Sequence, residues 1–285
     1  MPAEANVHGL SCERMGSGEP LILIHGTGSS SFAWRPVTRF LSAHHELILV
    51  DLPGHGDSEL PPPSVTPNAI GYAPLFADLL DALGFQSVHC AGFSVGGWTS
   101  LELAKLGRAR SVTAFGCAGL WKPRSPRSSE ASLWLTHRSS RLFAPLLPYV
   151  LLTAVGRTMF LSQQFGRPWR LTAGEATEAA RILGGIRGFD EHLKATNHAA
   201  RFIGGQEIDV PVTIAFGSRE RLLPKGGARR REELPPHIRW LELPGCGHVP
   251  TWDDPALVSQ AILETTGQAA ARDPGAPRPL ERQPG

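Results

Sequence analysis

Short, unbroken apolar runs recur along the chain, separated by stretches in which apolar positions return every three or four residues. The runs are LILIH (21–25), ELILVD (46–51), SVHCAGF (87–93), SVTAFG (111–116), VTIAFG (212–217) and IRWLEL (238–243). Each has strand length, and most are apolar at consecutive positions rather than at alternate ones. Such strands are buried on both faces, as in a parallel sheet covered by helices. Helical spacing predicts helices over about 33–43, 71–84, 95–107, 226–234 and 254–266, with an edge hairpin strand and turn at VHGLSCERMGSGEP. The alternation implies an α/β fold, a mostly parallel central sheet with helices on both faces.

The pattern breaks between residues 119 and 206, where helical periodicity continues without a convincing strand. Within that stretch Thr172 followed by Glu175 forms a capping box opening EATEAARILGG. An all-helical insertion in an α/β pattern predicts a cap or lid over one end of the sheet. The expected division is an α/β core from 1–118 and 207–266, a helical cap from 119–206 and a proline-rich tail from 267–285 without fixed structure. LFAPLLPYVLLTAV (142–155) is apolar, but too short to span a bilayer and interrupted by two prolines, and reads as a buried or lid helix.

Charge narrows the partners only a little. A formal net charge of +2, spread without a dense basic block, gives no reason to expect nucleic acid or membrane as partner. The run Arg229, Arg230, Arg231 is followed at once by Glu232 and Glu233 and reads as a solvated helix face. Cys12, Cys90, Cys117 and Cys246 lack metal or disulfide spacing and read as buried thiols. No metal site or cofactor is expected. The stretch MPAEANVHGL has neither a basic nor an apolar leader region, so a cytoplasmic location is expected, as monomer or homodimer. Twenty-four arginines against 4 lysines point to a GC-rich bacterial source.

The chemistry concentrates where strands end. GFSVG places Ser94 between an apolar run and a helix, the context in which a serine stands on a strained turn with its hydroxyl exposed at the sheet's carboxyl edge. A serine hydroxyl needs a base to become nucleophilic. His248, in the glycine-flanked loop after the last strand, is the candidate base, and Glu220, three residues beyond the 212 strand, is the candidate acid to orient it. Backbone N–H groups of Thr27, after His25–Gly26, and of Val95 at a helix start are the candidate oxyanion donors. His25 and His55 read as loop braces, and Asp190 and His192 as helix-cap and surface groups.

The stretches HGTGSSS, DLPGHGDS (51–58), GFSVGG, FGSRERLLP and GCGHVPTWDDP, in order across residues 21–255, resemble the α/β-hydrolase superfamily. The resemblance is closest to its lidded branch of bacterial esterases, C–C hydrolases and haloperoxidase-like proteins. It implies a cofactor-independent serine hydrolase acting on a carboxylic ester, lactone or thioester, and the apolar, aromatic cap points to a medium-sized, largely hydrophobic small-molecule substrate. C–C bond hydrolysis by the same triad, and a non-catalytic ligand-binding role, are the alternatives. One departure is Glu220 where the family pattern has Asp, requiring its loop to sit further back. Haloalkane dehalogenase and epoxide hydrolase chemistry is disfavoured, because both use an aspartate where this chain has Ser94. Gly28, Phe93, Trp121, Phe143, Phe160 and Val249 are candidate substrate contacts, with Trp134 and Trp169 as further aromatic residues of the cap that also read as internal packing.

Overall fold

A computed structural model describes residues 3–121, 127–197, 201–223 and 225–272. Its core is one eight-stranded sheet: β1 (Ala3–Val7), β2 (Leu10–Gly16), β3 (Glu19–Ile24), β4 (His45–Val50), β5 (Val88–Phe93), β6 (Ala109–Phe115), β7 (Val212–Gly217) and β8 (Arg239–Leu243). The spatial order is β1-β2-β4-β3-β5-β6-β7-β8. β1 and β2 pair antiparallel, as does β2 with β4, and every later pairing is parallel. All six expected strands form, and the edge hairpin gains β1 as its second arm, closed by His8 and Gly9, both at positive φ.

The consecutive apolar runs have the predicted cause. Ile22, Ile24, Ile48 and Val50 point into one core cluster, while Leu21, Leu23, Leu47 and Leu49 point into another on the opposite face. Period-two alternation therefore places apolar side chains on both sides of each central strand. The first face is covered by α2 (Ala69–Ala82) and α3 (Val95–Lys105). The second is covered by α1 (Arg35–Leu41) and α9 (Pro255–Arg272).

Between β6 and β7 lies the helical insertion: α4 (Arg127–Leu142), α5 (Leu147–Val150), α6 (Ala154–Leu161), α7 (Ala173–Gly185) and α8 (Phe189–Asn197). The capping box at α7 is present on both sides: Glu175 N–H donates to Thr172 Oγ1 and Thr172 N–H to Glu175 Oε2. Leu147, Leu151, Leu161 and Phe165 carry the insertion into the second core cluster.

Three expectations change. The helix expected over 226–234 is absent. The chain there is irregular, because Gly226 and Gly227 open the stretch, Pro235 and Pro236 follow it, and Arg229 and Arg231 lie over the rings of Phe216 and Trp240. α9 runs on to Arg272, six residues into the stretch assigned to the tail, because QAAAR after Gly267 favours helix; residues 273–285 lie outside the described residues. Finally, of the buried or lid helix expected over 142–155, the buried alternative does not hold. Apart from Leu147 and Leu151, its side chains are exposed.

Candidate active site

Ser94 stands at the junction of β5 and α3 with φ 55° and ψ −121°, a conformation that L-residues avoid. The surroundings enforce it. Its N–H donates to Phe115 O at 2.9 Å, and its carbonyl accepts from Trp98 N at 3.1 Å and Ala118 N at 3.1 Å. The glycines allow the close packing of the turn. A Cβ on Gly92 would fall 2.3 Å from the Gly96 carbonyl group, one on Gly96 would fall 2.1 Å from Ile24 O, and one on Gly26 would fall 2.6 Å from Ser94 Cβ. β3, β5 and α3 thus meet in a space that admits no side chain at these positions.

The ends of β7 and β8 are pressed together in the same way. Arg219 N–H donates to Cys246 O at 2.9 Å, and a Cβ on Gly217 would lie 2.1 Å from that oxygen. This contact brings His248 to Glu220, with Nδ1 and Oε2 at 2.8 Å and both side chains buried. Glu220 Oε1 accepts from the N–H groups of Leu222 and Leu223 at 2.8 and 3.0 Å. Burial alone would push this carboxyl up. The His248 ring, its hydrogen bond and the two amides outweigh burial and hold it below its ordinary value. An ionised carboxylate only accepts, so His248 carries a proton on Nδ1, and Nε2 is the ring nitrogen that Glu220 does not engage. That Nε2 is buried with no hydrogen-bond partner among the described residues.

Gly116, at the end of β6, connects the two halves. Its N–H donates to Ala215 O, φ is +48°, and a Cβ there would lie 2.9 Å from His248 Nδ1 and 3.2 Å from Glu220 Oε2. Ser94 N–H is bonded to Phe115 O, the adjoining carbonyl, so the turn serine and the imidazole converge on the same two residues. No carboxylate follows β6 in CAGLWKP, and Gly116 leaves room there for the ring of His248 instead.

Beside Ser94, the loop after β3 is braced by buried histidines. His25 lies within hydrogen-bond distance of Gly26 O through Nδ1 (2.9 Å), while its Nε2 accepts from Leu52 N–H at 2.9 Å. Burial pushes its pKa down to about 3, so the ring is neutral and its 3.7 Å approach to Asp51 is not an ion pair. Asp51 instead accepts from the N–H groups of Ser31 and Asp57. His192 corrects an expectation: it is buried, with Nε2 2.7 Å from Thr27 Oγ1 and Nδ1 2.8 Å from Tyr72 Oη. It shares one side of α8 with Phe189, Leu193 and Thr196, a spacing of three and four legible in the chain but masked by Asp190, Glu191 and Lys194. Asp190 is on the surface, paired with Arg138.

The insertion is also tied to the histidine loop. Asp253 accepts from the N–H groups of Gly166, Arg167 and Gly247 at 2.8, 2.6 and 2.8 Å, and Val249 N–H donates to Gln164 O at 2.8 Å. Gly28 faces Leu183 of α7, whose Cδ1 would be 3.0 Å from a Cβ there. Gln164, Leu183, His192 and Asp253 were not among the residues singled out from the sequence as site residues. Of those that were, Phe93 is buried beneath the turn against Trp34, and Val249 is buried beside His248. Trp121 packs edge-on to Trp98 within the first core cluster. Phe160 is half-buried on the second cluster, whereas Phe143, Trp134 and Trp169 are exposed.

The four cysteines are free and buried; burial pushes Cys246 up to about 12 and raises Cys12, Cys90 and Cys117. Among the described residues no group of three His, Cys, Asp or Glu side chains is placed to hold a metal ion, and no helix is long and apolar enough to cross a membrane.

The model of the alpha/beta hydrolase family matches residues 21–261, and the chain belongs to that family. It is 31% identical over 194 residues to epoxide hydrolase EphH of Mycobacterium tuberculosis, covering 64% of this chain and 87% of that protein. It is 26% identical over 258 residues to the dihydrolipoyllysine-residue acetyltransferase component of the acetoin cleaving system of Pseudomonas putida. That match covers 86% of this chain and 63% of the relative, so the chain spans less than two thirds of that protein's length. Among solved structures, naproxen esterase (carboxylesterase NP) from Bacillus subtilis superposes with a TM-score of 0.70 at 19% identity, over 93% of this chain and 90% of that one, a likeness of fold.

Proposed function

We propose that this α/β hydrolase is a serine hydrolase that cleaves a carboxylic ester, lactone or thioester through an acyl-enzyme, with no cofactor. The observation that carries the reading is the Glu220–His248 bond, which leaves an unpartnered basic Nε2 at the residues that hold the strained turn of Ser94. His248 Nε2 takes the Ser94 Oγ proton as Oγ bonds to the carbonyl carbon. The resulting oxyanion is held by the N–H groups of Thr27 and Val95, the latter among the N–H groups that a helix start leaves without an intrahelical partner. His248 then gives that proton to the leaving oxygen or sulfur as the tetrahedral adduct collapses, which breaks the ester or thioester bond and leaves the acyl group on Ser94. Water, deprotonated by His248, then attacks the acyl carbon and releases the acid and the free serine.

The relative named epoxide hydrolase raises the question of that chemistry for this chain. A carboxylate that opens an epoxide forms an ester that water can cleave; a serine would form an ether that it cannot. Ser94 on the turn therefore favours acyl transfer. A serine held in a strained conformation, at a cost of about 1–3 kcal/mol, also weighs against a purely ligand-binding role.

The test is turnover of short p-nitrophenyl esters together with labelling by a fluorophosphonate. Native protein should react with both. Ser94→Ala should lose labelling and at least about 10³-fold in kcat. Equal turnover by the variant would remove Ser94 from the mechanism, and activity on diketones but not on esters would favour C–C hydrolysis.

A further inference from the structure

The segment 141–155 departs from how apolar chain is ordinarily placed. Its inward side chains are Leu147 and Leu151, which enter the core cluster and fix α5 against the body of the protein. Outward stand Leu142 (74% exposed), Tyr149 (72%), Leu152 (64%) and Val155 (68%), continued by Met159 (80%) one turn along α6. Phe143, Leu146 and Val150 between them are also exposed. All fall on one short stretch of the insertion, from the end of α4 through α5 into α6, and a monomer rarely leaves so much apolar surface in water without a use for it.

Charge around the patch identifies what covers it. The whole chain is nearly balanced, but from Ala131 to Gly174 there are five arginines and not one acidic residue. Arg138 is matched by Asp190, and Arg167 approaches Asp254. Arg157 donates to the carbonyls of Leu151 and Leu152, which places its charge at the patch itself, and Arg141 and Arg170 are exposed. The acids of the adjoining α7 are engaged: Glu175 accepts from Thr172 N–H, and Glu178 pairs with Arg181. A second copy packed symmetrically on the patch would set these arginines against their own equivalents. A surface that is apolar below and anionic above accepts both features at once.

We propose that the outer face of α5 and α6, with the end of α4, is a docking surface for an anionic phospholipid bilayer, the leucines, Tyr149 and Met159 entering the acyl boundary and Arg141 and Arg170 meeting lipid phosphates. This is contact with one leaflet and differs from a span, for which no described helix is long and apolar enough. It is independent of the chemistry assigned to Ser94.

Co-sedimentation of the full chain with phosphatidylcholine vesicles and with equimolar phosphatidylcholine–phosphatidylglycerol vesicles tests it. Binding to the mixed vesicles should be at least about 10-fold tighter and should weaken as salt rises, at roughly five-fold per arginine in contact. The triple variant Tyr149→Asp, Leu152→Asp, Met159→Asp should lose this binding while keeping the native melting temperature and native turnover of a soluble ester. Should that variant fold poorly, Arg141→Glu with Arg170→Glu, which leaves the apolar face intact, must still abolish the preference for anionic lipid. Absence of binding to mixed vesicles, or undiminished binding by the arginine variant, overturns the proposal. So does a dimer by light scattering that the triple variant converts to monomer, which would make a second copy the occupant.

Discussion

His192 of α8 lies 2.7 Å from the hydroxyl of Thr27, so a residue of the helical insertion grips the loop whose N–H is the proposed oxyanion donor. Tyr72 of α2 holds the opposite side of the same ring, its Oη 2.8 Å from Nδ1, with the two ring planes only 11° apart. Elements distant in sequence thereby hold the loop after β3. His192→Phe should lower kcat about 10- to 100-fold with little change in KM, because the loop is misplaced while the substrate surface remains. Affinity for a boronic acid that mimics the tetrahedral adduct should fall in parallel, and His192→Gln should restore part of both. A proportional rise in KM with unchanged kcat would assign the histidine to substrate binding instead.

Glu220 serves in two directions, to His248 and to the amides of Leu222 and Leu223. Glu220→Gln turns an NH₂ group towards Nδ1 or leaves the ring free to adopt the other tautomer, so kcat should drop by about 10³- to 10⁴-fold. Glu220→Asp withdraws the carboxylate by about 1.5 Å, one bond length. Although aspartate is the family's usual residue, here it should also cost activity, by roughly 10- to 100-fold, since a misplacement of this order is enough. Steady-state kinetics on one ester separates the two.

Gly116 should tolerate no side chain. Gly116→Ala places a methyl group 2.9 Å from His248 Nδ1 on a backbone with φ +48°, so activity should be lost along with about 1–2 kcal/mol of stability. Gly84 offers the control, with φ +81° and nothing within 4 Å of a Cβ. Gly84→Ala should show the backbone cost alone, with native turnover, in urea denaturation and ester assay together.

Stability should fall in mild acid. His25 and His55 are buried and neutral, their pKa values pushed down to about 3 from 6.5, and burial also lowers His192 well below 6.5. Between those limits the unfolded chain binds protons that the folded one refuses, so stability is fully present above about pH 6.5 and is lost as pH falls. Each ring with a folded pKa near 3 should withdraw about 2 kcal/mol by pH 5. Urea melts at pH 7.5 and pH 5 measure the slope, and His55→Asn should flatten it.

Much of this was legible in the chain because its signals are local. The six apolar runs marked strands with both faces covered, GFSVG between a run and a helix marked the turn, and Thr172 with Glu175 marked the start of α7. FGSRERLLP and GCGHVP each follow a strand, and both loops sit at the same edge of a parallel sheet, which is why Glu220 and His248 could be paired from their order. Other residues carry no such mark. Gly116 and Asp253 look like ordinary turn residues until β7 and the His248 ring, or a segment of the insertion, are packed beside them.

The amino-acid sequence determined which segments are strands and helices, their order, and which side chains stand at strand ends, because periodicity and turn chemistry act over a few residues. Tertiary structure decided which face each segment turns inward. It buried His192 among charged neighbours, left 142–155 exposed despite its composition, and kept 226–234 from forming a helix. Burial is a property of what packs against a segment, and that partner comes from elsewhere in the chain.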